Sequence, residues 1–277
     1  MSEILVVIPA SIIVFALGAS IGSFINVVVY RIPAGLSLLF PPSRCPKCFN
    51  QLKPYDNIPV IGWISLKGRC RYCRTKISAR YPVVEAVTGL IFLLIFSIFE
   101  FSPLTIGYWI FCSWLLALSL IDLDTMTLPN PLTTSGLVLG VIFHVCIGWL
   151  TGNSIEIINQ IMFSVGGAIL GLWLFDAIAN LGSVILGKTA MGAGDAKLAA
   201  MMGAWLGWKY LLLACFLGCC SGVTIQGGVK IFSVSSKKQE KSKAFPFGPH
   251  LAIGATISLI AGEVILSSYL QLFVPWG

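Results

Sequence analysis

Charge is what this chain has least of: Asp, Glu, Lys and Arg make up 10% of its 277 residues, against 57% hydrophobic residues and a mean hydropathy of +0.90. A soluble domain carries about 25% charged residues. A 29.8 kDa chain this apolar cannot cover its own surface with polar groups, so lipid must solvate much of it. That excludes the soluble classes. Histidine is scarcer still, with only His144 and His250. Neither stands in a paired constellation along the sequence, and a lone histidine in an apolar span reads as a satisfied core residue. No basic residue precedes the first apolar run, Ile4 to Tyr30, and no small-residue cleavage pattern follows a short core. The run is too long for a signal-peptide core, and it is expected to be a retained first span. Internal repeats and low-complexity tracts are also lacking.

What is present is a series of apolar segments, at roughly 4–30, 82–99, 104–121, 131–150, 158–187, 210–232 and 249–273, against the ~20 residues that a crossing needs. An eighth, Ala196 to Trp208, is short and contains glycine. Of the 18 Lys and Arg, ten lie between Arg31 and Arg80, where Asp56 is the only acid. Lys237, Lys238, Lys241 and Lys243 form a second basic run between two apolar segments. Segments this basic beside spans belong on the cytoplasmic side. A nucleic-acid patch is the weaker reading, because the second run is short and flanked by spans. With the 31–80 loop inside, Asp122 ends the third span on the inner side and Lys188 is inside again. The chain must then cross twice between Lys197 and Ser233 to return its basic run inside. The expected fold is therefore all-α and polytopic, with about eight transmembrane helices: residues 1–30 as the first, 31–81 as a small cytoplasmic basic domain, and 82–277 as a transmembrane domain. A re-entrant pair of half-helices satisfies the same parity.

A loop of some 50 residues, rich in Pro and basic side chains, cannot build much of a core and needs a staple. Cys45-Pro46-Lys47-Cys48 and Cys70-Arg71-Tyr72-Cys73, separated by 21 residues, supply one. Two CxxC units present four thiolates at the spacing of a tetrahedral zinc site, and neighbouring Lys and Arg favour thiolate over thiol. Lasting disulfides are disfavoured on the cytoplasmic side. Two redox-active pairs are the alternative. A closed four-sulfur site leaves no open position for water, so the expected zinc is structural. The other five of the nine cysteines, Cys112, Cys146, Cys215, Cys219 and Cys220, lie in apolar segments and read as small core residues.

A carboxylate at membrane depth is costly, so each of Glu85, Asp122, Asp124, Asp176, Asp195 and Glu263 is a functional candidate. Asp122 and Asp124 lie in Ile121-Asp122-Leu123-Asp124, where the third span meets the inner face. Asp195 lies in Met191-Gly192-Ala193-Gly194-Asp195-Ala196-Lys197, at another inner boundary, where Gly192 and Gly194 allow a tight turn and a close approach. Two carboxylates sharing a low-dielectric site cannot both ionise easily. The charged one activates a water and the protonated one polarises a scissile carbonyl, which is the aspartic protease arrangement. Helix capping by Asp195 and interfacial acids at a helix end are the structural alternatives, and spacing leaves Asp122 and Asp124 unresolved. Glu85, Asp176 and Glu263 have no partner legible in the sequence.

With these motifs in view the chain resembles the bacterial type IV prepilin peptidases, which are GxGD intramembrane aspartyl proteases. The resemblance runs nearly end to end: Gly22-Ser23-Phe24-Ile25-Asn26 through Tyr30-Arg31-Ile32-Pro33, both CxxC pairs, Ile77 to Glu85, Ile121 to Asn130, Met191 to Lys197, and Phe245-Pro246-Phe247-Gly248-Pro249. It implies cleavage of the short basic leader from type IV prepilins or type II secretion pseudopilins, on the cytoplasmic side of the inner membrane. It also implies N-methylation of the new terminal residue from S-adenosylmethionine. The family's acids match Asp122 and Asp195, and the placement relative to Leu128-Pro129 favours Asp122 over Asp124. Two positions differ from the commonest pattern: Ala193 stands between the glycines, and Asn130 stands where many members have Asp.

No Gly-rich loop after a strand offers a familiar S-adenosylmethionine site, so no residue is assigned to methylation. A peptidase lacking methylation is one alternative. The other is a membrane scaffold or transporter with a zinc-stapled loop, in which Asp122 and Asp195 would carry ions or protons. Lys197 reads as an interface anchor, or as a cation biasing the pair. Gly248-Pro249 is expected to shape the start of the last span, and its basic upstream run to meet anionic lipid heads.

Overall fold

The structure, a computed structural model, describes residues 2–187, 191–233 and 246–273. Lys188, the basic run Lys237, Lys238, Lys241 and Lys243, and Phe245 lie outside the described residues. Apolar segments of this length, in a solvent that cannot hydrogen-bond a backbone, satisfy their own N–H and C=O groups by becoming helices. Among the described residues eight α-helices result: α1 Ser2–Arg31, α2 Ile61–Ser65, α3 Arg80–Phe99, α4 Pro103–Thr125, α5 Asn130–Leu150, α6 Ser154–Leu186, α7 Ala193–Ser233 and α8 Gly248–Phe273. All but α2 are long and apolar enough to cross a membrane. Among the described residues the only extended pairings are two isolated bridges. The chain forms two compact units, Met1–Ser113 and Trp114–Gly277.

In the first unit α1 and α3 pack antiparallel through small residues. A Cβ on Gly18 would meet Phe92 at 2.8 Å and Gly89 Cα at 2.9 Å, and one on Gly22 would meet Glu85 Cα at 2.8 Å. Backbones this close gain dispersion contacts in a solvent as apolar as themselves, which is the usual basis of small-residue helix pairing in lipid. The Trp109 indole N–H donates to the Phe92 carbonyl at 3.0 Å, and the two rings stack at 4.8 Å.

The loop between α1 and α3 is tied at both ends. The Arg31 guanidinium donates to the carbonyls of Ser37 at 2.8 Å and Leu38 at 3.2 Å. Glu85, in the second turn of α3, accepts the Val60 N–H at 2.7 Å and a bond from the Ser23 side chain. The partners that the sequence did not reveal for Glu85 are thus a loop amide and a hydroxyl on α1.

The second unit settles how residues 193–233 run. The chain is helical on both sides of Gly207, yet Gly207 itself has φ 66° and ψ 177°, which no helix contains. On one side of Gly207 the chain packs antiparallel to α6: Gly203 sits against Gly167, and Ala199 against Gly171. On the other side it packs antiparallel to α8: Gly218 sits against His250 and Leu251, and Tyr210 against Gly262. The starts of α7 and α8 lie at the same end of the unit, because Asp195 and Gly248 both neighbour Asp122. The chain therefore reverses at Gly207, and α7 is two limbs.

The first limb, Ala193 to Leu206, spans roughly 21 Å at 1.5 Å per residue. It is shorter than the ~30 Å hydrocarbon layer. The short eighth segment expected from the charge pattern is this limb. Its last carbonyls lose helical partners at the reversal and find side chains instead. Ser164 Oγ donates to the Ala204 carbonyl at 2.7 Å, and His144 Nε2 lies 3.1 Å from the Trp205 carbonyl. His144 is thus the satisfied core residue the sequence suggested.

Candidate active site and thiol cluster

In the first unit the four cysteine sulfurs lie within 4.8 Å of one another. Cys45 Sγ is 3.7 Å from Cys73 Sγ, and Cys48 Sγ is 3.9 Å from Cys70 Sγ. A tetrahedron of sulfurs about 2.3 Å from a central ion has edges of about 3.8 Å, so the donor set fits a closed tetrahedral metal site. The two CxxC segments are local copies of one turn. The Cys45 N–H donates to the Asn50 carbonyl at 3.0 Å and the Phe49 N–H to Cys45 at 2.9 Å; the Cys70 N–H donates to Thr75 at 2.8 Å and the Arg74 N–H to Cys70 at 3.1 Å.

Phe49 and Arg74 both take positive φ, at 56° and 59°, and the bridges Arg44–Gln51 and Arg69–Lys76 close the two turns. The expectation of no internal repeat is corrected here. Two matched turns stand at equivalent places, and the repeat is hidden because only the cysteines and the preceding Arg44 and Arg69 are shared in sequence. The Thr75 amide holds Cys73 down at about 6, and the Cys48 amide acts in the same direction on Cys45. Cys48 accepts from the Asn50 amide, but burial and its three thiol neighbours push it up to about 11. Four thiols crowded together resist carrying four negative charges, and a cation relieves that conflict. Arg71 leaves the cluster to pair with buried Asp56, donating from Nε to both carboxylate oxygens at 3.0 Å.

In the second unit Asp122 lies near the end of α4, with 5% of its surface exposed. Its Oδ2 accepts the N–H of Gly248, the first residue of α8, at 2.9 Å. Gly248 N–H is one of the donors that a helix start leaves without an internal partner. Pro249 brings no N–H of its own, and the amides of His250 and Leu251 turn back to the Phe247 carbonyl at 3.1 and 3.2 Å. Asp122 therefore caps α8 from another helix, where an anion is favoured. A side chain on Gly248 would put its Cβ 2.7 Å from Asp122 Oδ2.

Asp195 is half-buried in the first turn of α7 and is an electrostatic neighbour of Asp122. The Gly192 amide donates to its carboxylate, and the Asp195 N–H donates to the Gly192 carbonyl at 3.1 Å. Gly194 lies against Leu128, where a Cβ would sit 3.1 Å from Leu128 Cβ. That brings the turn before α7 onto the segment that follows Asp122. Lys197 Nζ donates to Asn130 Oδ1 at 2.6 Å, tying the start of α7 to the start of α5.

Asp124, the rival of Asp122 in sequence, is exposed. Asp176 on α6 and Glu263 on α8 are exposed as well. Gly248 is the site residue that residue types alone did not reveal. Its signal was a Gly-Pro pair opening an apolar run, which leaves one amide without a local acceptor.

Residues 16–99 match the profile described as the bacterial peptidase A24 N-terminal domain, and residues 109–226 match that of the type IV leader peptidase family. The chain is 36% identical to the prepilin leader peptidase/N-methyltransferase of Stutzerimonas stutzeri, over 92% of each chain. It is 32% identical to the protein of that name from Neisseria gonorrhoeae over 96% of each, and 33% identical to the one from Pseudomonas aeruginosa over 92% of this chain and 91% of that one. No solved structure matches. A multi-pass helical chain with a four-cysteine cluster, two neighbouring carboxylates at the starts and ends of its helices, and relatives matched over nearly its full length belongs to the type IV leader peptidase family.

Proposed function

We propose that this protein is an intramembrane aspartic endopeptidase that removes the leader peptide from type IV prepilins or type II secretion pseudopilins, with Asp122 and Asp195 as its catalytic pair. The observation that carries the reading is the pairing of a buried Asp122, oriented by the Gly248 amide, with Asp195 at the same end of the unit. Two carboxyls sharing one proton divide the work. The ionised carboxylate takes a proton from water as its oxygen attacks the scissile carbonyl carbon. The protonated carboxyl donates to the carbonyl oxygen, and the tetrahedral diol collapses as the C–N bond breaks and the leaving amine takes up a proton. No covalent enzyme intermediate forms. Asp124, exposed beyond Asp122, supports the site without taking part in that proton exchange, while Gly192, Gly194 and Lys197 hold the turn that carries Asp195.

The reading places the pair at the cytoplasmic face of the bacterial inner membrane. Ten basic residues crowd the 31–80 loop, and such segments stay on the cytoplasmic side. The transmembrane domain, 82–277, would act on the leader junction while the prepilin's apolar helix lies in lipid against the spans. The 31–81 domain would be stapled by a structural zinc ion on Cys45, Cys48, Cys70 and Cys73. Zinc suits four thiolates with no open position; it would hold the loop's fold. The relatives' name and the cysteine-bearing loop support a second step, transfer of a methyl group from S-adenosylmethionine to the new N-terminal amine.

Purified protein in detergent, given a prepilin and S-adenosylmethionine, should yield a mature product heavier by one methyl group than the bare cleavage product. Asp122→Asn and Asp195→Asn should each lower cleavage by at least ~10³-fold. Wild-type cleavage by either variant would refute the assignment, and an unmethylated product would leave the peptidase alone.

A further inference from the structure

The first turn of α8 is held in place by contacts that reach beyond the carboxylate that caps it. His250 is buried at 5% exposure, and its Nδ1 lies 3.1 Å from Ser221 Oγ on the second limb of α7. Ser221 has one hydroxyl proton, and it goes to the Gly218 carbonyl at 2.9 Å. The hydroxyl therefore meets His250 with a lone pair, and His250 Nδ1 is the donor. The serine is spent as a donor, so the pair is not a nucleophile and its base.

The backbone around the contact is packed to a fixed register. A Cβ on Gly218 would be 3.2 Å from the His250 carbonyl oxygen and 3.3 Å from Leu251 Cα, and one on Gly222 would be 3.8 Å from the His250 ring. Phe247, just ahead of the turn, lies over Phe175 of α6 with ring centroids 6.5 Å apart. His250 thus hydrogen-bonds across the packed α7–α8 seam, one turn or less from the start of α8. Gly248, two residues before it, carries the amide bonded to Asp122.

We infer that His250 and Ser221 are positioning residues for the peptidase reaction: their hydrogen bond fixes the start of α8 so that the Gly248 amide holds the Asp122 carboxylate in its reacting orientation. The inference rests on the catalytic reading of Asp122 and adds a chain of contacts through which α7 and α8 control it. The reason is geometric. A main-chain N–H bonds well only over a few tenths of an ångström, and a misplacement of about 1 Å at a reacting group costs on the order of 10²-fold in rate. The effect acts through the orientation of Asp122, so it belongs in kcat.

The test is steady-state cleavage of a prepilin by the full-length protein in detergent, with the thermal unfolding midpoint measured for each variant. His250→Phe keeps the ring's bulk and removes the donor; it should lower kcat by about tenfold and leave KM within about twofold. His250→Asn, whose amide nitrogen can occupy the place of Nδ1, should recover most of that loss. Ser221→Ala should match His250→Phe, and the double variant should be no worse than either single one, because both remove the same bond.

A merely structural role would instead lower the unfolding midpoint, with no recovery in His250→Asn. Unchanged kcat in His250→Phe or Ser221→Ala, beside an inactive Asp122→Asn, overturns this inference alone. Equal loss in His250→Phe and His250→Asn overturns it too. Cleavage by Asp122→Asn at the wild-type rate overturns the catalytic reading and this inference together.

Discussion

Asp122 and Gly248 stand 126 positions apart, yet one hydrogen bond joins them. At the scale of single residues this bond separates two acids that look alike in sequence. Asp122 is buried and bonded, and Asp124 two positions on is exposed. Any side chain at the other end of the bond would crowd the carboxylate, because a Cβ there would stand 2.7 Å from its oxygen. Gly248→Ala should therefore displace Asp122 and lower kcat by about 10²-fold, with KM little changed. A cleavage assay under saturating prepilin reads this directly, and a wild-type kcat would show that the carboxylate tolerates the displacement. Lys197 is legible only in part: its place beside the acid was plain, but its bond to Asn130 needed the fold.

Among elements, α7 has the most unusual course. Its first limb lies so close to α6 that Gly167 and Gly203 each place their Cα against the other's carbonyl, with no room for a side chain on either. Contacts of this kind replace the hydrophobic drive that lipid does not supply. Gly207 makes the reversal with φ 66° and ψ 177°, a conformation that only glycine takes readily, and Phe163 fills the space where its side chain would be.

Gly203→Ala should cost about 1–3 kcal/mol by overpacking, and Gly207→Ala at least as much, since it adds backbone strain to the clash. Both would appear as lowered unfolding midpoints of the detergent-solubilised protein. In Gly203→Ala the loss should extend to cleavage, because this limb carries Asp195. A midpoint unchanged in both variants would contradict the close packing described.

Across the molecule as a whole, stability should depend on metal and on pH through the 31–81 loop. Purified protein should carry one zinc per chain by elemental analysis, and Cys45→Ser or strong chelation should remove it and make the loop sensitive to protease. The Asp56–Arg71 pair adds an acid limit. The Arg71 guanidinium, donating to both oxygens, holds Asp56 below the usual carboxylate range. Its contribution is complete above the unfolded-chain value of about 3.9 and is lost as pH falls through the lower folded-state value. A plot of unfolding midpoint against pH should fall less steeply below about pH 4 for Asp56→Asn than for the wild type, once metal loss is matched by comparing both in chelator.

Composition and segment length alone determined that this chain lives in lipid as helices, because a backbone in hydrocarbon has no other way to satisfy its hydrogen bonds. The two CxxC units were equally plain, since a tetrahedral thiol site needs only four sulfurs on short tethers. The motifs around Asp122 and Asp195 marked both acids as candidates. Tertiary structure decided the rest: which of two adjacent acids is buried, that Gly248 donates to it, that Glu85 holds a loop amide, and that α7 turns back at Gly207. Each of these depends on atoms brought together from distant stretches of chain, and hydropathy and spacing report only on neighbours along it.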